Sequence, residues 1–236
     1  NCWNLMCTRN CKPSLGIEDS ILLLIGGAFN NHTLQNILLK PWNKASDTEL
    51  TCYITIIIQE LPNIIHINHI RTSPIIEYLI NRCHNSNALS VNLFWTLYLY
   101  NQGTSDILFY EKLFTYYCEK LPDKYKIILT QQQNLVEYFK DIFKMPYSKE
   151  TMMKCKNYFD QFKKDNITNF QLKTGVYKNP IITNHKFECI DMKFRGVRIK
   201  SSNSRPLIIP CVVRDRNGHR FKYEMMYKKD DLRQEK

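Results

Sequence analysis

Residues 206–227 read PLIIPCVVRDRNGHRFKYEMMY, and this stretch decides the fold class. Residues 206–213 are an apolar run of strand length, and residues 221–227 form a second run that favours a strand. The polar segment between them contains Asn217-Gly218, and Asn-Gly is the strongest short hairpin signal. The stretch therefore predicts two antiparallel strands joined by a tight turn.

Upstream of this hairpin the periodicity of the apolar residues changes. Residues 187–192 are β-prone and predict a third strand. From the N-terminus to about residue 166, apolar residues instead recur every three or four positions, which is typical of amphipathic helices. The sequence thus places helices first and strands last.

The clearest helix is predicted over Pro74–Cys83. Its apolar positions share one face, Ser73 precedes it as an N-cap, and Pro74 occupies the first turn, where its missing N–H has no cost. The face consists of Ile76, Leu79, Ile80 and Cys83. Three further helices follow the same pattern, over residues 89–100 with Leu93, Phe94 and Leu97, then around Tyr110, Leu113, Phe114 and Tyr117, then around Leu135, Phe139, Ile142 and Phe143.

A charged helix is predicted last, over residues 149–166, with Ser148 as its cap. Each of these helices exposes one apolar stripe that it cannot bury alone, so they must pack on their neighbours. We therefore expect an α+β chain: an all-α solenoid of helix pairs over residues 1–166, followed by a small antiparallel β-sheet over residues 167–236. The boundary is expected between residues 166 and 185.

Composition narrows the function classes. The formal charge of +11 favours a polyanionic neighbour, although scattered lysines are also compatible with an ordinary solvated surface. The nine cysteines form no CxxC pair, which argues against a zinc site and a disulfide framework and favours a reduced, cytoplasmic setting. No apolar run reaches the roughly 18 residues that span a bilayer. The chain begins at Asn1 and not at Met, so we expect an excerpt of a longer polypeptide.

Three segments resemble the phosphatidylinositol 3- and 4-kinases. Residues 52–61, 73–83 and 93–97 are similar in pattern and order to that family's helical accessory domain. Residues 200–208, KSSNSRPLI, resemble its loop between the first two kinase strands, which has the pattern xSSxxxPLW. Residues 227–235, YKKDDLRQE, resemble FKxGDDLRQD and are the sharpest of the three matches. The resemblance covers most of the chain and is thinnest over the first forty residues and residues 145–185.

The resemblance implies roles for individual residues of a partial kinase N-lobe. Ser202 and Ser204 would lie over the phosphates of ATP, and Lys228 would pair with those phosphates. The adenine pocket would be lined by Ile208 and Met226. Glu235 stands where most 3-kinases have Asp and some 4-kinases have Glu.

The chain departs from the family at the lysine. The family has two residues between its Lys and the Asp-Asp pair, whereas here only Lys229 lies between Lys228 and Asp230. Because side chains alternate along a strand, a shift of one residue changes which lysine faces the cleft. Lys228 is preferred and Lys229 is the alternative, against a default in which both are solvated.

The catalytic parts of such a kinase are expected elsewhere. The resemblance places the Asp base and the Mg²⁺-binding Asp in a C-terminal lobe, and the chain ends at Lys236 before any such motif. Asp215-Arg216-Asn217-Gly218-His219 superficially resembles a catalytic loop, but its strand-turn-strand setting predicts a hairpin. We therefore expect no catalytic residue in this chain and no activity from it alone.

The sequence thus favours part of an ATP-dependent lipid kinase, with ATP and Mg²⁺ as cofactors of the complete enzyme. The implied partners are a phosphoinositide at a membrane surface and a regulatory protein on the helical domain, in a cytoplasmic, membrane-peripheral location. No specific nucleic acid is expected. The alternatives are a non-catalytic relative that acts as an α-solenoid interaction module and, ranked lower, a related Ser/Thr protein kinase.

Overall fold

The computed structural model describes residues 15–26, 32–103, 105–144, 153, 157, 180–181, 184–192, 196, 198–200 and 206–227. Its helices precede a single antiparallel sheet, so the predicted α+β class is confirmed. The chain divides into two compact units, residues 1–121 and 122–236. The boundary expected between residues 166 and 185 stays a prediction, since it falls almost entirely outside the described residues. In the part that is described, no helix has both the length and the apolar character needed to cross a bilayer.

The described part of the first unit is entirely helical. Its elements are α1 (Ile17–Ile25), α2 (His32–Lys44), α3 (Asp47–Ile64), a 3-10 helix (Ile67–Thr72), α4 (Pro74–Cys83), α5 (Asn87–Tyr100) and α6 (Ile107–Lys120). The helix predicted over residues 74–83 thus has the bounds that the sequence indicated, and the next begins two residues before the predicted start.

The helices of the first unit form two layers. In one layer α3 packs against both α1 and α5. In the other layer α2 packs against α4. The two layers meet where α1 packs on α2 and where α5 packs on α6. The hydroxyl of Tyr116 in α6 donates to Glu77 in α4 at 3.2 Å, which continues the second layer. This arrangement agrees with the predicted stack of helices, because each apolar stripe is covered by a helix one or two places along the chain.

The predicted apolar faces form the core of this unit. All four positions named for α4 are buried, and so are the three named for α5. In α6 the side chains of Tyr110, Leu113 and Tyr117 are buried, whereas Phe114 is half-buried. Helical periodicity in the sequence therefore identifies these core-facing positions, with Phe114 as the exception.

Ser73 is the N-cap residue of α4, as predicted, but its hydroxyl does not cap the helix. The Ser73 Oγ donates instead to Gln35 Oε1 at 3.1 Å, and both side chains are buried. A buried hydroxyl and a buried amide each need a partner, so satisfying this pair outweighs a local helix cap. The bond connects the start of α4 to α2.

Buried tyrosines connect the helices through hydroxyl groups. Tyr117 donates to the carbonyl oxygen of Ser90 at 3.0 Å, and Tyr110 donates to that of Ile58 at 3.2 Å. Burial raises the pKa of the neighbouring Cys83 thiol to about 12, so this cysteine is protonated at neutral pH. A thiol in that state is a small core side chain and not a nucleophile.

Arg82 in α4 joins α2 and α3. Its guanidinium donates to the Asp47 carboxylate, and to the carbonyl oxygens of Ala45 at 3.1 Å and Trp42 at 3.5 Å. The Tyr78 hydroxyl lies 3.2 Å from the same group. The Arg82 side chain is only 24 % exposed, so these charge-assisted bonds are sheltered from water.

The elements of the second unit whose bounds are described are α7 (Asp123–Lys144), β1 (Pro180–Ile181), β2 (Asn184–Met192), β3 (Arg198–Ile199), β4 (Leu207–Arg214) and β5 (Arg220–Tyr227). α7 includes the predicted positions 135–143. Its described buried positions are Tyr125, Ile128, Leu129 and Gln132, which share one face. Of the charged helix predicted over 149–166, the described residues are Met153 and Asn157, both helical.

β4 is the central strand of the sheet. β5 pairs antiparallel with its whole length on one edge. On the other edge, β2 pairs with residues 211–214 and β3 with residues 207–208, so these two strands lie end to end. The three predicted strands correspond to β2, β4 and β5, while the short strands β1 and β3 were not predicted.

The Arg82 contacts generate a stability prediction. We expect Arg82→Gln to lower the free energy of unfolding by roughly 2 kcal/mol, since two carbonyl oxygens and a carboxylate lose a sheltered donor. Arg71→Gln is the matched control, because the Arg71 and Glu119 side chains form an ion pair at 61 % and 47 % exposure. That change should cost less than about 1 kcal/mol. Urea unfolding followed by circular dichroism measures both, and equal losses would contradict the role given to Arg82.

Candidate functional site

The β3–β4 hairpin holds the loop that the sequence predicts to cradle phosphates. Arg198 lies opposite Ile208 and Ile199 opposite Leu207, and the backbone N–H of Lys200 donates to the carbonyl oxygen of Pro206 at 3.0 Å. The segment 201–205 therefore joins two adjacent antiparallel strands at one end of the sheet. Ser202 and Ser204 belong to that segment and lie outside the described residues.

The end of β5 lies at the same end of the sheet. Tyr227, its last residue, is directly opposite Leu207, the first residue of β4. Lys228 and Lys229 follow Tyr227 in the chain, and they, like Glu235, lie outside the described residues. The described residues that flank the predicted serine loop and the predicted lysine are thus neighbours across β4 and β5.

Ile208 and Met226 are brought together by the same register. They are directly opposite each other on β4 and β5, and opposite residues of an antiparallel pair project from the same face of the sheet. Ile208 is buried, whereas Met226 is 51 % exposed. Of the two, Met226 is the exposed side chain, and its adaptable thioether suits contact with a flat apolar ligand surface.

The other face of β4 is the core of the sheet. Alternate residues of the strand are buried there, and Met225 of β5 joins them. The buried positions of β4 on this face are Leu207, Ile209, Cys211 and Val213. Since side chains alternate, Ile208 and Met226 must project from the opposite face, which we term the open face.

Tyr227 belongs to the core face although it is next to the predicted lysine. Burial raises the pKa of its hydroxyl above the usual range, and the nearby thiols of Cys189 and Cys211 raise it further. The phenol is therefore neutral at physiological pH. By alternation, Lys228 follows a residue whose side chain is turned toward the core.

An ion pair on the open face was not predicted from the sequence. Arg198 of β3 donates to both carboxylate oxygens of Glu224 in β5, at 2.7 and 2.9 Å. Arg198 is opposite Ile208, and Glu224 is opposite Pro210, so the pair passes across β4 beside Ile208. Alternation along β5 puts Glu224 on the same face as Met226, but the partner Arg198 was missed because β3 was not predicted.

The Asp215–His219 segment is a hairpin turn, as the sequence predicted. The backbone N–H groups of Asn217 and His219 donate to Asp215 Oδ1, each at 2.9 Å, and His219 Nδ1 lies 3.2 Å from Asp215 Oδ2. Gly218 has φ +88°, in the left-handed region that favours glycine. Because the Asp215 carboxylate accepts hydrogen bonds from its own turn, it is not positioned as a catalytic base.

The electrostatics of Asp215 follow from that turn. Partial burial acts to raise the pKa of its carboxyl, but the hydrogen bonds from His219 and Asn217, together with the His219 ring, hold the pKa below its usual range. The turn is therefore stabilised by the ionised form of Asp215.

Neither a metal-ligand cluster among the described residues nor a similarity to known proteins indicates what this site binds. Over the residues that the structure describes, no group of three or more His, Cys, Asp or Glu side chains is placed to hold a metal ion. A scan against protein-family models and a search of curated proteins both find no match to this chain.

The Asp215 turn generates a pH prediction. Because its pKa is lower in the folded than in the unfolded state, the stabilisation is present above the ordinary value of about 3.8 and is lost as pH falls through the folded pKa. We expect the amide protons of Asn217 and His219 to exchange faster as pH falls below about 4, after correction for intrinsic rates. Nuclear magnetic resonance measures this, and Asp215→Asn should flatten the pH response. A turn whose protection is unchanged down to about pH 2 would contradict the role of the carboxylate.

Proposed function

We propose that this chain is part of an ATP-dependent phosphatidylinositol kinase, in which the helical unit is a scaffold and the sheet supplies one wall of the ATP cleft. The observation that supports the proposal most directly is the register of β4. It brings the flanks of the serine loop and of Lys228 to one end of the sheet, and it sets Ile208 beside Met226 on the open face. A nucleotide requires both features, since its phosphates need donors and its base needs an apolar surface.

Each predicted residue has a defined task in this proposal. Met226 contacts the adenine and the buried Ile208 lies beside it in the wall of the pocket, while Ser202 and Ser204 donate hydroxyl or backbone groups to the phosphates. Lys228 neutralises phosphate charge, and Lys229 is the alternative. ATP with Mg²⁺ supplies the transferable phosphoryl group when bound, and we assign no catalytic base or metal ligand to residues 1–236.

The proposal also includes a cellular location for the complete enzyme. The acceptor is a phosphoinositide ring hydroxyl, so the complete enzyme meets a membrane surface from the cytoplasmic side. The helical stack offers exposed faces for a regulatory protein.

A second candidate function is an α-solenoid interaction module without catalysis. A specific observation favours it: an open cleft of about 490 Å³ lies between the 3-10 helix and α6. Leu108 lines this cleft and is 65 % exposed, next to Glu111 and Lys112. An exposed leucine beside charges of both signs suits a peptide partner. Failure of the parent polypeptide to bind any nucleotide would favour this candidate over the kinase.

The lysine assignment predicts the outcome of one pair of variants. In the longest natural polypeptide that contains this chain, Lys228→Ala should lower the rate of phosphoryl transfer to phosphatidylinositol by roughly 100-fold or more, because phosphate charge loses its counter-charge. Lys229→Ala is the matched control and should retain most of the activity. Loss of activity in the Lys229 variant alone would exchange the two roles, and a folded parent without lipid turnover would count against the proposal. Radiolabel transfer to a peptide and not to lipid would favour the protein kinase.

The adenine wall predicts a separate effect on nucleotide affinity. Met226→Glu should raise the KM for ATP by roughly 10-fold, since it places a carboxylate where an apolar base and anionic phosphates approach. Met153→Glu is the control, because Met153 is a helical residue that is also highly exposed, at 67 %. Both variants should unfold at nearly the wild-type temperature. Equal KM values for the Met226 variant and the wild type would remove Met226 from the site.

A further inference from the structure

A second cavity of the helical unit, of about 340 Å³, lies where the chain passes from α3 through the 3-10 helix to α4. Its lining includes Gln35 of α2, the C-terminal end of α3, two histidines at the 3-10 helix, and Ser73 at the start of α4. All of these residues belong to the first unit. The cavity is therefore separate from the proposed nucleotide wall, and its lining shares no residue with the cleft beside Leu108.

Gln35 brings a buried amide with a free donor to this cavity. The residue is only 2 % exposed, and its Oε1 accepts the Ser73 hydroxyl at 3.1 Å. Among the described residues, none accepts a hydrogen bond from Gln35 Nε2. Over the same residues, Trp42 Nε1 is the one side-chain atom that is sealed from solvent without a partner, so Gln35 Nε2 must reach open space. The cavity that Gln35 lines provides that space.

An amide donor in so buried a setting favours a ligand that supplies an acceptor oxygen. Unpaired polar groups are rare in protein interiors, because each has lost its bonds to water. The Ser73 hydroxyl occupies one lone pair of Gln35 Oε1 and fixes the amide in place. Gln35 Nε2 is thus a preorganised donor at the wall of the cavity.

The two histidines add ring donors at the same cavity. His66 Nδ1 accepts a hydrogen bond from the backbone N–H of Asn68 at 3.3 Å, which places the ring proton on Nε2. The His69 ring meets the His66 ring edge to face, with centroids 5.9 Å apart. Both histidines line the cavity and are exposed, so His66 Nε2–H is accessible to a ligand and a second imidazole lies next to it.

The charges around the cavity favour an anion. None of the described residues that line it is acidic. Asn63 donates its side-chain N–H to the nearby Glu60 carboxylate at 2.9 Å, so that charge already has a partner. Ser73 marks the N-terminal end of α4, where the helix dipole favours negative charge, and its hydroxyl does not cap the helix. At the C-terminal end of α3, the Leu61 carbonyl oxygen is already bonded to the backbone N–H of Ile65 at 2.9 Å.

The donors suit a carboxylate better than a phosphate. Proteins typically bind phosphate through Arg or Lys, and neither is among the described residues that line the cavity. Amide and imidazole N–H groups match the single charge and two oxygens of a carboxylate. Pro62 and the buried Ile65 give the cavity an apolar side as well, which suits a hydrocarbon portion of the ligand.

We propose that this cavity binds a small carboxylate with a hydrocarbon portion. One carboxylate oxygen accepts a hydrogen bond from Gln35 Nε2, and His66 Nε2–H donates to the same group. A free organic acid and the C-terminus of a peptide both present this chemistry. The inference does not rest on the kinase proposal, since every residue it uses lies in the helical unit.

The test is isothermal titration calorimetry of the full chain with sodium benzoate and with benzamide, the neutral isostere of benzoate. We expect benzoate to bind with a Kd of about 1 mM or below, and benzamide to bind at least about 10-fold more weakly. A hydrophobic tripeptide with a free C-terminus and its amidated form distinguish the two sources. Binding of benzoate without the free tripeptide identifies a free acid, and tighter binding of the free tripeptide identifies a C-terminus. Either result supports the carboxylate site.

One pair of variants separates the amide donor from the structural bond. Gln35→Glu is nearly isosteric and keeps an acceptor for the Ser73 hydroxyl, but it replaces the donor with a negative charge. It should weaken benzoate binding at least about 10-fold. Ser73→Ala is the matched control, because it removes the Ser73–Gln35 bond and leaves Gln35 Nε2 present. Its affinity for benzoate should change by less than about threefold. Thermal unfolding followed by circular dichroism establishes that both variants are folded.

Two calorimetric results would overturn the inference: equal benzoate affinity of Gln35→Glu and the wild type, or equal affinity of the wild type for benzoate and benzamide. Nuclear magnetic resonance of the wild type does not depend on any variant. Benzoate should shift the backbone amide signals of residues 35, 66 and 69 and leave those of residues 111 and 112 unchanged. No shift at residues 35, 66 and 69 would also reject the proposal, whereas nucleotide binding is measured separately and bears only on the kinase.

Discussion

The antiparallel pairing of β4 with β5 is the constraint that decides which side chains of the sheet lie together. Eight consecutive residue pairs, from Leu207 with Tyr227 to Arg214 with Arg220, fix which side chains share a face. A slip of β5 by one residue would move Met226 to the core side and turn the buried Met225 outward. The turn at Asp215 and Gly218 holds that register, because the carboxylate satisfies two backbone N–H groups and the glycine adopts the left-handed conformation.

The same register gives the sheet two chemically different ends. One end joins the flanks of the serine loop to the end of β5, beside an apolar pair on the open face. At the other end Arg214 of β4 lies between Glu188 of β2 and Arg220 of β5. Their separation by the length of β4 means that a ligand at one end makes no direct contact with the other.

The helical unit depends on a different principle, the satisfaction of buried polar groups between layers. Arg82, the Ser73–Gln35 pair and the buried tyrosine hydroxyls each connect helices that are distant in sequence. The apolar stripes alone would allow neighbouring helices to slide or rotate against each other. Directional bonds in a sheltered interior favour one arrangement, because a displaced donor would leave a carbonyl oxygen without a partner.

By itself the sequence determined the order of helices and strands, the core positions of α4 and α5, and the hairpin with its Asn217-Gly218 turn. These are local properties, since periodicity and turn chemistry act over a few residues. Only the tertiary structure decided that Ser73 bonds to Gln35 and caps nothing, that β2 and β3 share one edge of β4, and that Arg198 reaches Glu224 across that strand. It also decided that Ile208 and Met226 stand side by side and that Arg214 faces Arg220. These pairings join residues 6 to 38 positions apart, and periodicity does not specify their register, because it is set by which strands and helices meet once the chain has folded.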